Sequence, residues 1–150
     1  MDYDRAMPGV DLQWESVFKE LTDLRAVWPV AEWGYDRRVR CVMSTISVAQ
    51  KEAARSAMAK VLPLSYTSDS LAAAPQAVRV LADQYGGVRP GQMLFWGGDP
   101  GAPGPFGLWW PWGDGKSVSL RIGLHNVDAP KVRYPALRDV FGIPQAPPTG

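Results

Sequence analysis

The sequence is poor in the residues from which most catalytic and metal sites are built. It has one cysteine, Cys41, so an internal disulfide and a multi-thiolate metal site are both excluded. Its single histidine, His125, excludes a two-histidine metal centre, and no HExxH spacing supplies another set of ligands. GxSxG is missing, and with it the sharply presented serine of a hydrolase. The glycine-rich stretch GGDPGAPG (97–104) lacks the Lys-Ser/Thr of a phosphate cradle, and its prolines remove backbone donors. Net charge is nearly absent: 16 basic against 15 acidic residues leave +1, no field for nucleic acid or an anionic membrane. No apolar run approaches the ~18 residues of a membrane span. The opening MDYDRAMPGV has neither the charged nor the apolar region of a signal peptide. These absences lead us to expect a cytoplasmic, bacterial protein with no metal, cofactor, nucleic-acid or membrane partner.

Aromatic residues are plentiful. Seven tryptophans occur, four of them between residues 92 and 124. That stretch reads as a three-stranded antiparallel meander around which the rest is organised. Val118, Leu120, Ile122 and Leu124 alternate with Ser117, Ser119, Arg121 and Gly123, a period of two with one apolar face. Phe106 to Trp110 carries bulk on both faces, and Gly113-Asp114-Gly115-Lys116 has the residues of a tight hairpin. The turn from Gly97 to Pro105 is longer, with four glycines and three prolines.

Before the meander come helices. Trp14, Val17, Phe18, Leu21, Leu24 and Trp28 form one stripe at helical spacing, with Asp11 as the expected cap and Pro29 as the stop. Residues 30–36 read as a connector bending at Gly34, and the alternation from Arg37 to Ser44 as a strand holding Cys41 among its buried positions. Ser47 and Gln50 fit a capping box for a helix reaching about Lys60, with Ala54, Met58, Val61 and Leu62 inward. Leu64 to Thr67 suggests a short strand. Pro75 to Tyr85 reads as a helix stopped by Gly86-Gly87, and Pro135 to Phe141 as a last one starting at its proline, after an extended Lys131 to Tyr134. Residues 1–9 and 145–150 are expected to be loose.

At 150 residues, with no repeat and no interior linker, the chain is expected to be a single domain. The order of elements indicates an α+β fold, with helices packed on one face of a mostly antiparallel sheet centred on the meander.

Function rests on the aromatic surplus. Neighbours in a strand point to opposite faces, so Trp109 and Trp110 share one core layer only if both faces are covered. Three readings fit: a protein contact, a small ligand or glycan stacked on the rings, or packing under helices on both sides. The densest positive cluster, Arg37, Arg38 and Arg40, fits a solvated edge strand or a contact for an acidic partner. Cys41 with His125 offers a catalytic pair only if the fold joins them. Otherwise His125 is a turn histidine held by local backbone. No two carboxylates stand out as an acid–base pair.

A compact, nearly neutral domain with surplus aromatics and no catalytic constellation is best read as a non-catalytic protein-binding module. In general character it is similar to the small single-domain immunity proteins with which bacteria block a cognate toxin. That similarity is of type alone and carries over no family residues. The expected contacts are Trp109, Trp112, Arg38, Arg40, Asp99 and Asp114, with the Gly97–Pro105 loop. A small-ligand or carbohydrate-binding domain, or a weak enzyme, with its pocket between the sheet and the first helix, is the alternative. A structural subunit of a larger complex is the third.

Overall fold

A computed structural model of the chain describes residues 8–144. The expectations of loose ends therefore fall outside it, except at Pro8 and Gly9, which are helical. Four helices pack on one six-stranded sheet: α1 (Pro8–Val27), α2 (Lys51–Ala59), α3 (Gln76–Gln84), α4 (Pro130–Val140), and β1 (Gly34–Asp36), β2 (Cys41–Ser47), β3 (Leu64–Tyr66), β4 (Met93–Trp96), β5 (Gly104–Pro111), β6 (Ser117–His125). The class is α+β as the sequence indicated. Every strand pair is antiparallel, in the order β1-β2-β6-β5-β4-β3. The meander β4-β5-β6 forms the middle, and β2 joins its far side with Val42 opposite Ile122 and Ile46 opposite Val118.

Strand alternation gives the sheet two apolar faces. On the first, Val42, Ile46, Phe95, Trp109, Val118, Leu120, Ile122 and Leu124 meet α1, α2 and α4. Of the first stripe read from the sequence, Trp14, Val17, Leu21, Leu24 and, just past the end of α1, Trp28 are buried, while Phe18 is half-buried; Ala54, Met58, Val61 and Leu62 from the α2 segment are all buried. The Trp28 indole donates to Ser44 Oγ at 2.9 Å, so that buried hydroxyl is satisfied. On the second face, Cys41, Leu94, Trp96, Phe106 and Leu108 pack with Val78 and Ala82 of α3. The expectation of helices on one face is thereby corrected: three lie on the first face and α3 on the other. The physical reason is in β4 and β5, which are apolar at consecutive positions and so cannot leave either side bare.

Three local expectations also change. Helix α1 begins at Pro8 rather than at an Asp11 cap, because proline suits a first turn; Asp11 instead accepts a hydrogen bond from Arg133 Nη2 at 2.8 Å. The strand placed at 37–44 starts only at Cys41: Arg37–Arg40 is the hairpin turn between β1 and β2, with Arg40 in the left-handed region at φ 54°. The residues read as extended before Pro135 are helical, since Pro130 takes the first helical turn and Pro135 lies inside α4. Arg133, Leu137 and Phe141, four apart, are its buried side. The Ser47–Gln50 box is present, with the Ser47 amide donating to Gln50 Oε1 at 3.0 Å, though the first turn is a 3-10 turn (Val48–Gln50) preceding α2.

Candidate functional site

The tryptophans of β5 divide as strand geometry requires. Trp109 faces the first layer, opposite Leu120 and Met93, and meets the Phe95 ring edge-on at 6.1 Å. It is 2% exposed. This corrects its expected role as a contact: α1 seals it and no partner can reach it. Trp110 faces the other way and is partly exposed. The Arg121 guanidinium stands 4.5 Å over its ring, a cation–π contact, while Arg121 Nη1 donates to Ser119 Oγ at 3.0 Å. Asp36 completes the group, its Oδ2 3.6 Å from Arg121 Nε and 3.3 Å from Arg38 Nη2. The hydrogen bonds from Arg38 hold the Asp36 carboxyl below its ordinary range. Trp112 opens the β5–β6 turn and is 50% exposed. Its amide is bonded to Ser117 O at 2.9 Å, so the turn that carries the ring is itself closed.

Helix α3 covers only one end of this second face. It packs at Cys41, Leu94, Trp96 and Phe106, toward the carboxyl end of β6. Toward the β5–β6 turn, Thr45 is exposed and Met43, Trp110 and Arg121 are partly so. The register places Thr45, Ser119 and Trp110 in one row across β2, β6 and β5, and Met43 and Arg121 in the next. The result is a half-face of sheet bearing a cation-capped tryptophan, bordered by a half-exposed one.

The six residues expected to form one contact surface do not meet. Trp112 and Asp114 stand in the β5–β6 turn, whereas Arg38 and Arg40 stand in the β1–β2 turn at the opposite end of the sheet. The nine residues of β6 span that distance, about 30 Å at ~3.4 Å per residue. Asp114 Oδ1 accepts from the Lys116 amide at 2.8 Å and so serves its own turn. Asp99 is exposed in the β4–β5 loop, where its carbonyl accepts from the Ala102 amide at 3.1 Å. Arg38 is turned to Asp36. Arg40 is turned the other way, its guanidinium 5.1 Å over the Tyr134 ring. There it joins an open cleft between the β1–β2 turn and α4 that also holds Tyr35, Arg37, Lys131 and Arg138.

Two polar clusters escaped the sequence reading. His125 is 4% exposed and stacked on Trp96, centroids 4.0 Å apart. Its Nε2 donates to Gly97 O at 2.9 Å, and its Nδ1 lies 2.8 Å from Asn126 Oδ1. Burial is the largest influence on its pKa and pushes it below the ordinary value, against the opposing pull of the Asn126 and Gly97 bonds. The expectation of a turn histidine held locally is thus half corrected: the Gly97 bond reaches 28 residues back. Beside it, between α3 and the end of β6, lies an open cleft of about 530 Å³ walled by Gln76, Val80, Leu81 and Gln84. The second cluster is Arg133, bidentate to Asp128 at 3.0 and 3.1 Å, with Asp11 and the Trp14 indole on the same network. A buried arginine within an apolar helical stripe was the available signal.

The chemistry these groups support is limited. The Cys41 thiol is fully buried, bonds to Val39 O at 3.3 Å, and is pushed up to about 12 by burial, leaving no thiolate at neutral pH. Both His125 nitrogens are engaged. Among the described residues no group of three His, Cys, Asp or Glu side chains is placed to hold a metal ion, and no helix is long and apolar enough to cross a membrane. Comparison with known proteins returns no match, whether to a family model, a curated protein or a solved structure.

Proposed function

We propose that the chain is a non-catalytic protein-binding module, working in a cytoplasm, that acts by occupying its partner in the manner of an immunity or inhibitor protein. The observation that supports this is the half-face of sheet beyond α3, with Trp110 beneath Arg121 and Trp112 half exposed at its border. Tryptophan and arginine are the residues in which binding energy concentrates, because each covers a large area and loses little rotamer freedom or presents a fixed fork of donors. The Arg121 guanidinium is already oriented by the indole, by Ser119 and by Asp36, so binding would order little that is not ordered now. The test is affinity purification from the source organism. A partner recovered at one-to-one yield, and lost when Thr45→Arg places a bulky charge in the Trp110 row, bears the reading out. Recovery of nothing at stoichiometric yield defeats it.

A small-ligand reading is favoured by a different observation, the cleft of about 530 Å³ floored by Trp96 and His125. It lies against α3, not against the first helix. A thermal-shift screen over sugars, nucleotides and amino acids tests it, with a reproducible rise for one class as the supporting result.

A further inference from the structure

Four cations line the cleft between the β1–β2 turn and α4, and among the described residues no carboxylate lines it with them. The cleft is open, about 570 Å³, and its polar lining is Tyr35, Arg37, Arg40, Lys131, Tyr134 and Arg138. Some cations elsewhere are paired, Arg38 with Asp36, Arg133 with Asp11 and Asp128, Lys19 with Asp23. Among the described residues no ion pair involves Arg37, Arg40, Lys131 or Arg138. Two of the guanidiniums are held in place by rings, Arg40 at 5.1 Å over Tyr134 and Arg138 at 4.8 Å over Tyr35. Arg40 reaches its position from a left-handed backbone at φ 54°, a conformation that disfavours any side chain other than glycine, asparagine or aspartate. The Nε of Arg138 is buried without a hydrogen-bond partner.

The chemistry of this lining selects its ligand. Guanidinium and ammonium groups only donate, and the two phenols are the sole side-chain acceptors. The remaining lining residues, Pro130 and Pro135, bring no N–H and no side-chain polar atom. A peptide rich in carboxylates would bring backbone donors with almost nothing to receive them. A phosphate group brings acceptor oxygens alone, with a charge of about −1.5 to −2 at neutral pH, and matches the arginine fork bidentately. We propose that this cleft binds a phosphate group, free or carried by a small molecule. The proposal stands apart from the protein-binding reading, since the cleft and Trp112 lie at opposite ends of the sheet.

The test is calorimetric titration of the full chain with pyrophosphate, inorganic phosphate, a hexaglutamate peptide and a short DNA duplex. Pyrophosphate is expected to bind with Kd tighter than about 1 mM. Arg40→Glu and Lys131→Glu, both at exposed positions, are each expected to weaken it about tenfold or more while leaving the unliganded melting temperature unchanged. Inorganic phosphate binding as tightly as pyrophosphate assigns the cleft to the free ion; weaker binding assigns it to a larger phosphate compound. Trp112→Ala leaves both affinities intact. Silence with pyrophosphate, an affinity indifferent to both charge reversals, or tighter binding of the peptide or the duplex would each overturn the proposal.

Discussion

Nε2 of His125 donates a hydrogen bond to the carbonyl oxygen of Gly97 across 2.9 Å, joining the last residue of β6 to the residue that follows β4. Gly104, which starts β5 between them, has no room for a side chain. A Cβ there would stand 2.7 Å from Gly97 O and 2.8 Å from His125 Nε2. The bond thus closes the glycine- and proline-rich loop onto the sheet through three strands at once.

A pH dependence follows from that bond. Burial lowers the His125 pKa below its ordinary 6.5, so the unfolded chain binds the proton more readily than the folded one. The stability is complete above pH 6.5 and is lost as pH falls from there toward the lower folded value. Melting temperatures measured from pH 7.5 to 5 are expected to decline for the native chain and to decline less for His125→Gln. Gly104→Ala, which forces the loop and ring apart, should lose about 1–3 kcal/mol in urea unfolding.

The meander was legible because its signals are local. Val118 to Leu124 alternate strictly, and Gly113 to Lys116 can only turn. The partners of β6 were not legible, since nothing in residues 41–47 announces pairing with residues 117–122. Consecutive arginines disguised the β1–β2 turn as strand, because the left-handed conformation fell on Arg40 instead of on a glycine. Pro135 disguised α4 for a similar reason, with the buried Arg133 breaking what would otherwise read as an apolar stripe. Of the site, the tryptophan surplus was visible in the sequence. Which ring faces outward was not, because alternation gives the relation between Trp109 and Trp110 but not the side that α1 covers.

Arg133 fastens α4 and the turn before it to α1, 122 residues away in the chain. Its guanidinium is bidentate to Asp128, bonds Asp11 of α1 and lies 5.5 Å over the Trp14 ring. Its hydrogen bonds are the largest influence holding the Asp128 carboxyl below its ordinary value. Replacing Arg133 by Met keeps much of the apolar stem and removes the fork. Both carboxylates are exposed enough to rehydrate, so the expected loss is about 2 kcal/mol, read by urea unfolding.

The two outward and inward tryptophans should separate cleanly in stability. Trp109 is 2% exposed between Phe95 and α1, and truncation to Ala is expected to cost about 3–5 kcal/mol. Trp112→Ala, at a ring 50% exposed, is expected to change stability by less than about 0.5 kcal/mol.

Under the proposed function, the half-face bordered by Trp112 serves to hold another protein. The most direct measurement pairs two numbers for Trp112→Ala: the dissociation constant for the recovered partner and the melting temperature of the free chain. A loss of about 2 kcal/mol in binding, roughly 30-fold in Kd, with the melting temperature unmoved, is what the half-face predicts. An unchanged Kd, or a melting temperature that falls in step with the affinity, would contradict it.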